Sequence, residues 1–163
     1  SRTLDLLLAN AIPRRRLVIN NAVAMVSLAC VVGLMTFAGS VAGVLLARLD
    51  VPLVNLAATC LLATLLGVVF GSVALLVSAA TGRVRWATGA AALAGLAAYV
   101  LASFVPMSDR YADWAVLSPF HFYLGSDPLM NGMPWGDAGV LVVMSLVLLG
   151  AAIPAFDRRD LRG

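Results

Sequence analysis

The chain has 163 residues, 62% hydrophobic and 12% charged, with a mean hydropathy of +0.99, against about 45–50% apolar content in soluble domains. A soluble core of this length needs a charged and polar coat, and the sequence lacks one over long stretches, so water is the wrong solvent for it. The net charge of +3 arises from Arg and Asp alone, without Lys or Glu, and lies in short clusters between apolar runs, which argues against a nucleic-acid-binding face.

Residues 3–13 are too short to cross a bilayer and run directly into Arg14-Arg15-Arg16. Thr3 is placed to cap a helix, Asp5 suits the positive end of its dipole, and Pro13 limits it to about two turns. Residues 1–16 are therefore expected to form a short helix at the membrane face. It either rests in the interface, leucines in lipid and arginines on anionic headgroups, or docks a soluble partner. The start lacks the features of a signal peptide and reads as part of a longer chain.

Four runs without a charged side chain follow, 17–47, 51–82, 86–108 and 138–156, where a bilayer core needs about 20 apolar residues. They predict membrane helices over 17–47, 52–80, 86–106 and 137–156, the first two long enough to tilt or to project from the bilayer. Arg48, Asp50 and Pro52 form one tight turn and residues 81–85 another, so consecutive helices should be antiparallel neighbours. Cys30 and Cys60 lie inside apolar runs without metal-ligand spacing and read as small hydrophobes. Gly39 and Gly43, like Gly67 and Gly71, stand one helical turn apart, which suits close packing either within the chain or between subunits.

Arginine sets the orientation, because positive residues near helix ends stay cytoplasmic. Arg2, Arg14, Arg15, Arg16, Arg83, Arg85, Arg158, Arg159 and Arg162 fall on one side, Arg48 and Arg110 on the other. Both termini are thus expected in the cytoplasm and the 107–136 segment outside. That segment holds Tyr111, Trp114, Phe120, Phe122, Tyr123 and Trp135 among four prolines at 106–134, an aromatic density that belongs at a membrane–water interface. Residues 114–125 are apolar but interrupted, as in a helix that enters the leaflet and turns back where protein covers its backbone. An outer gate or lateral exit and a belted surface loop both fit.

The spans hold uncharged polar groups only, so ion coupling through an intramembrane carboxylate is poorly supported. Without Lys the chain has no standard P-loop, so energy for any active transport must come from another chain. Ser118 and His121 are the sole candidate nucleophile–base pair for an intramembrane enzyme, and His121 has no second histidine with which to share a metal.

The order of parts resembles the type-2 ABC exporter permease family. The matching stretches are TLDLLLANAIPRRRLV at 3–18, LSPFHFYLGSDPLMNGMPWGD at 117–137 and FDRRDL at 156–161. The resemblance implies an all-α polytopic membrane fold: a cytoplasmic N-terminal coupling helix, four transmembrane helices equivalent to the third to sixth of a six-helix half, and an outer re-entrant segment. Leu4, Asp5, Leu8, Asn10 and Arg14 are then the residues contacting the ATPase, and Phe120, Phe122, Tyr123 and Leu124 belong to the re-entrant segment. It further implies a plasma-membrane transport subunit without its own ATPase site that exports a hydrophobic or amphipathic compound, such as a drug, antibiotic or lipid-like molecule. ATP and Mg sit on a partner ABC ATPase, the chain itself binds no cofactor, and a second permease half or copy and membrane lipids complete the partners. A membrane anchor or accessory subunit that tethers a soluble partner without transporting is the alternative.

Overall fold

The computed structural model describes residues 14–104 and 116–159. In chain order these form α1 (Arg14–Ala47), α2 (Leu53–Thr81), α3 (Val84–Phe104), α4 (Pro119–Leu124), α5 (Pro128–Asn131) and α6 (Trp135–Arg159), with no strand among them. Leu4, Asp5, Leu8 and Asn10, expected to belong to a coupling helix, lie outside the described residues. The four long helices have the length and apolarity needed to cross a membrane.

Helix bounds differ from the charge-free runs at their ends. The arginine triplet forms the first turn of α1, and α6 continues past Phe156 to Arg159. Arginine is a good helix former, so a change of polarity does not end a helix; hydrogen bonding does. α1 closes where Leu49 N donates to Val44 O at 3.0 Å and Arg48 takes a positive φ of 52°. Gly82 ends α2 in the left-handed conformation (φ 67°), its N–H donating to Ser78 O at 2.8 Å; glycine adopts this backbone without steric cost. The turn into α3 is thereby held to two residues.

α2 is the hub, in contact with all five other helices, whereas α1 also touches α6 and α4 bridges α3 and α6. Two buried clusters fix the directions. At one level Val18 of α1, Ala79 of α2 and Ala152 of α6 pack together, and at the other Leu62, Leu66 and Val69 of α2 meet Ala138 and Leu141 of α6. α2 and α6 therefore run parallel, with α1 antiparallel to both. The first cluster marks the arginine-rich end of the bundle; the second lies toward the end that carries α4 and α5.

The exterior is the reverse of a soluble protein's. Leu28, Leu34, Met35, Leu45 and Leu46 on α1, Leu93 and Leu96 on α3, and Leu146 and Val147 on α6 are all more than 60% exposed. A helix that is apolar all round is either buried in protein or immersed in lipid, and α1 is not buried by this chain. At 34 residues it extends about 51 Å, against a hydrocarbon core of about 30 Å.

Close approach of α1 to α2 uses only Gly71 of the four expected glycines. Gly39, Gly43 and Gly67 have open space where a side chain would begin. The contacts fall at Gly33, whose missing Cβ leaves room for Thr64, and at Gly71, where a Cβ would stand 2.5 Å from the Met25 sulfur. Thr64 is fixed by donating its hydroxyl to Cys60 O at 2.7 Å, while Met25 ends in a flexible thioether that is free to move aside. Gly33→Ala should therefore destabilise the helix pair by about 1–3 kcal/mol and Gly71→Ala by less. Reversible unfolding in mixed micelles, with Thr64→Ala as the rescuing partner of Gly33→Ala, measures the difference.

Candidate functional site

The feature that departs from a plain helix bundle is the pair of short helices α4 and α5, which form a hairpin seated on the end of α2. Its sequence explains how. Ser118 is extended (φ −90°, ψ 130°) and N-caps α4, with Pro119 at the first helical position. Proline there has no N–H to satisfy and is already set to a helical φ. The Ser118 hydroxyl accepts from Phe120 N at 3.3 Å, and the Ser118 carbonyl accepts from His121 N at 3.0 Å. The same hydroxyl donates to Ala98 O of α3 at 2.6 Å, and Ser118 is only 1% exposed. One serine thus satisfies the helix start and ties it to a neighbouring span, which lets polar backbone sit in apolar surroundings.

Ala98 lies about 9 Å below the Phe104 end of α3 at 1.5 Å per residue. From this point Phe120 reaches between two spans. Its ring centroid is 5.5 Å from that of Phe70 on α2 and 5.7 Å from that of Tyr99 on α3, the latter edge-to-face. Both arrangements are favourable for aromatic quadrupoles. Phe122 and Tyr123 pack with Phe120 over the Leu62–Leu66–Val69–Ala138–Leu141 cluster. Leu124 is half exposed and faces the rim.

The second half of the hairpin is held by Asn55, near the start of α2. Its amide donates to Leu129 O at 3.0 Å and to Met130 O at 3.5 Å, which satisfies carbonyls at the end of α5. Gly132 follows with a φ of 85°, a conformation open to glycine. Asn131 donates to Ser126 O at 3.0 Å and closes the loop between α4 and α5. Contacts with α2 therefore run from Asn55 to Phe70, about 22 Å of helix axis.

Of the sequence-predicted site residues, Phe120, Phe122, Tyr123 and Leu124 fall together on α4. Arg14 is the first residue of α1. Ser118 and His121 do not form a nucleophile–base pair: the serine proton goes to Ala98 O, and the imidazole stands edge-to-face with Phe122 at 5.5 Å. Cys30 and Cys60 are free thiols that line one groove of about 510 Å³ between α1 and α2. They are offset along the antiparallel pair by about two turns, because Gly33 faces Thr64 and Gly71 faces Met25, too far for a disulfide. Thr36, Thr59, Thr64, Ser72, Thr81 and Ser145 each donate to the carbonyl four residues earlier in their own helix, and so hold no neighbouring helix.

Sequence reasoning missed Asn55, Phe70 and Tyr99 as anchors, and Ser118 as one. The Ser-Pro pair was a legible helix start. An Asn near a span end and single aromatics within spans carry no comparable signal. No protein-family model, curated protein or solved structure matches the chain. What the fold defines is an all-helical protein with membrane-spanning character, four long apolar helices and a short hairpin capping one end.

Ser118→Ala removes the cap and the tie to Ala98 together and leaves Phe120 N–H without its partner. A loss of about 1–3 kcal/mol is expected, read as a lower unfolding midpoint in detergent and faster amide exchange across residues 118–124 than in wild type.

Proposed function

We propose that the chain is membrane-embedded permease machinery of an ABC-type exporter, moving a hydrophobic or amphipathic compound out of the cell on energy from a separate ATPase. The observation that carries this reading is the hairpin. A six-residue helix, capped at its start and packed on buried residues, interrupts the chain between the third and the last long helix. Irregular backbone at membrane depth is tolerated only where protein covers it or a cavity needs it. A re-entrant element at this point in the order of helices is what the family resemblance implies, and the aromatic contacts extending along α2 to Phe70 support it.

Orientation follows from charge. The start of α1, the α2–α3 turn with Arg83 and the first turn of α3 with Arg85, and the end of α6 share one end of the bundle, and positive residues favour the cytoplasm. The hairpin is then extracellular, both termini are cytoplasmic and the membrane is the plasma membrane. No Arg, Asp or His interrupts the four long apolar runs, so neither proton nor sodium coupling has a carboxylate to work through. Energy enters instead from a partner ATPase holding ATP and Mg. It docks on the segment containing Leu4, Asp5, Leu8, Asn10 and Arg14, and a second permease half or copy completes the path.

Replacing Leu8 with Asp and Arg14 with Glu should release or uncouple the ATPase while membrane insertion stays intact. Co-purification of the ATPase and transport-coupled ATP turnover in liposomes measure this. Unchanged association together with unchanged transport would sink the assignment.

A further inference from the structure

The geometry points to a small pocket at the hairpin end that binds an alkylammonium group. The pocket, of about 120 Å³, is lined by Thr59 of α2 and by Tyr123, Leu124, Asp127, Pro128 and Leu129 of the hairpin. Each water claims about 30 Å³ of liquid, so the space holds about four waters: too little for a drug-sized molecule, enough for a substituted headgroup.

Asp127 supplies the charge. It occupies the N-cap position of α5 yet does not cap it, and it sits at φ 43°, ψ 67°, a left-handed conformation uncommon for residues with a Cβ and most accessible to Asp and Asn. Local bonds hold it there: Asp127 O accepts from Met130 N at 3.0 Å and from Asn131 N at 2.9 Å, and Asn131 closes back on Ser126 O. The loop is therefore held by backbone and Asn131, which leaves the carboxylate of Asp127, an exposed residue, without a hydrogen bond or ion pair among the described residues and open to a ligand from outside. Tyr123 adds an aromatic ring to the lining, and aromatic rings attract cations. Thr59 has already donated its proton to Asn55 O at 2.9 Å, so its oxygen is left as an acceptor. Leu124, Pro128 and Leu129 form the apolar remainder.

A negative charge, an aromatic ring, an acceptor oxygen and an apolar wall select a cation with carbon substituents. A bare Ca²⁺ needs six to eight oxygen ligands and Mg²⁺ an octahedron of them, whereas this pocket offers one carboxylate; an anion is repelled. The ammonium group of a zwitterionic phospholipid and that of a free amphiphilic amine have the shared chemistry. The pocket's occupancy is independent of the ATPase assignment, since binding requires no nucleotide.

The test uses the full chain in nanodiscs of phosphatidylglycerol, with trimethylphenylammonium as probe and saturation-transfer NMR on its N-methyl protons. Asp127→Asn keeps a residue that tolerates left-handed backbone and removes the charge, and Asp127→Gly relieves the conformation as well. Both should fold as wild type and weaken the probe by roughly fivefold or more. Wild-type affinity in either folded variant overturns the proposal, as does equal binding of the neutral tert-butyl analogue. Repeating the titration in discs containing phosphatidylethanolamine separates the sources. A weaker apparent affinity there assigns the pocket to the lipid headgroup and an unchanged one assigns it to a free amine, and both uphold the ammonium site.

Discussion

A chain with an apolar exterior cannot leave backbone polar groups facing outward, and the structure is organised around that constraint. In the long helices it is met automatically, since each N–H bonds the carbonyl four residues back. The demanding place is between α3 and α6, where the chain breaks into two short helices. There the solution depends on a few atoms: the Ser118 hydroxyl, shared between Phe120 N and Ala98 O, and the Asn55 amide, spanning Leu129 O and Met130 O. Without the Ser118 hydroxyl, Phe120 N would be left unsatisfied beside a buried apolar cluster, at a cost of about 1–3 kcal/mol, whereas the Asn55 bonds lie at the exposed rim.

Much of the architecture is legible because lipid imposes a simple code. Charge-free runs longer than about 20 residues mark spans, and the four runs at 17–47, 51–82, 86–108 and 138–156 correspond to α1, α2, α3 and α6. Their ends are less legible. Arg14 to Arg16 and Arg158 to Arg159 are polar yet helical, since helix propensity and lipid solubility are different properties. The interruption at Ser118-Pro119 could be read locally. The aromatic stack of Phe70, Phe120 and Tyr99 could not, because it depends on which faces of three helices meet.

The glycines make the same point in another way. Pairs at 39/43 and 67/71 have the spacing associated with close helix contact, yet Gly39, Gly43 and Gly67 border open space and the tightest approach falls at the isolated Gly33. Spacing along one helix says that a flat strip exists; the partner's side chain decides whether it is used. The candidate sites divide similarly. α4 and its aromatics follow from composition, whereas Asp127 gains its interest from a backbone angle and from neighbours on α2, neither of which the sequence displays.

The hydroxyls that bond back into their own helices have a mechanical meaning. Thr36, Thr64, Ser72 and Ser145 sit in helices that touch one another, but none of their bonds crosses a gap, so none has to break when one helix slides or rolls against the next. The bonds donated by Asn55 and Ser118 do cross, the first from α2 to the hairpin and the second from the hairpin to α3. Side-chain hydrogen bonds thus tie the hairpin at two points, to α2 through Asn55 and to α3 through Ser118. A shift of α2 against α3 would load both ties at once, one at each half of the hairpin.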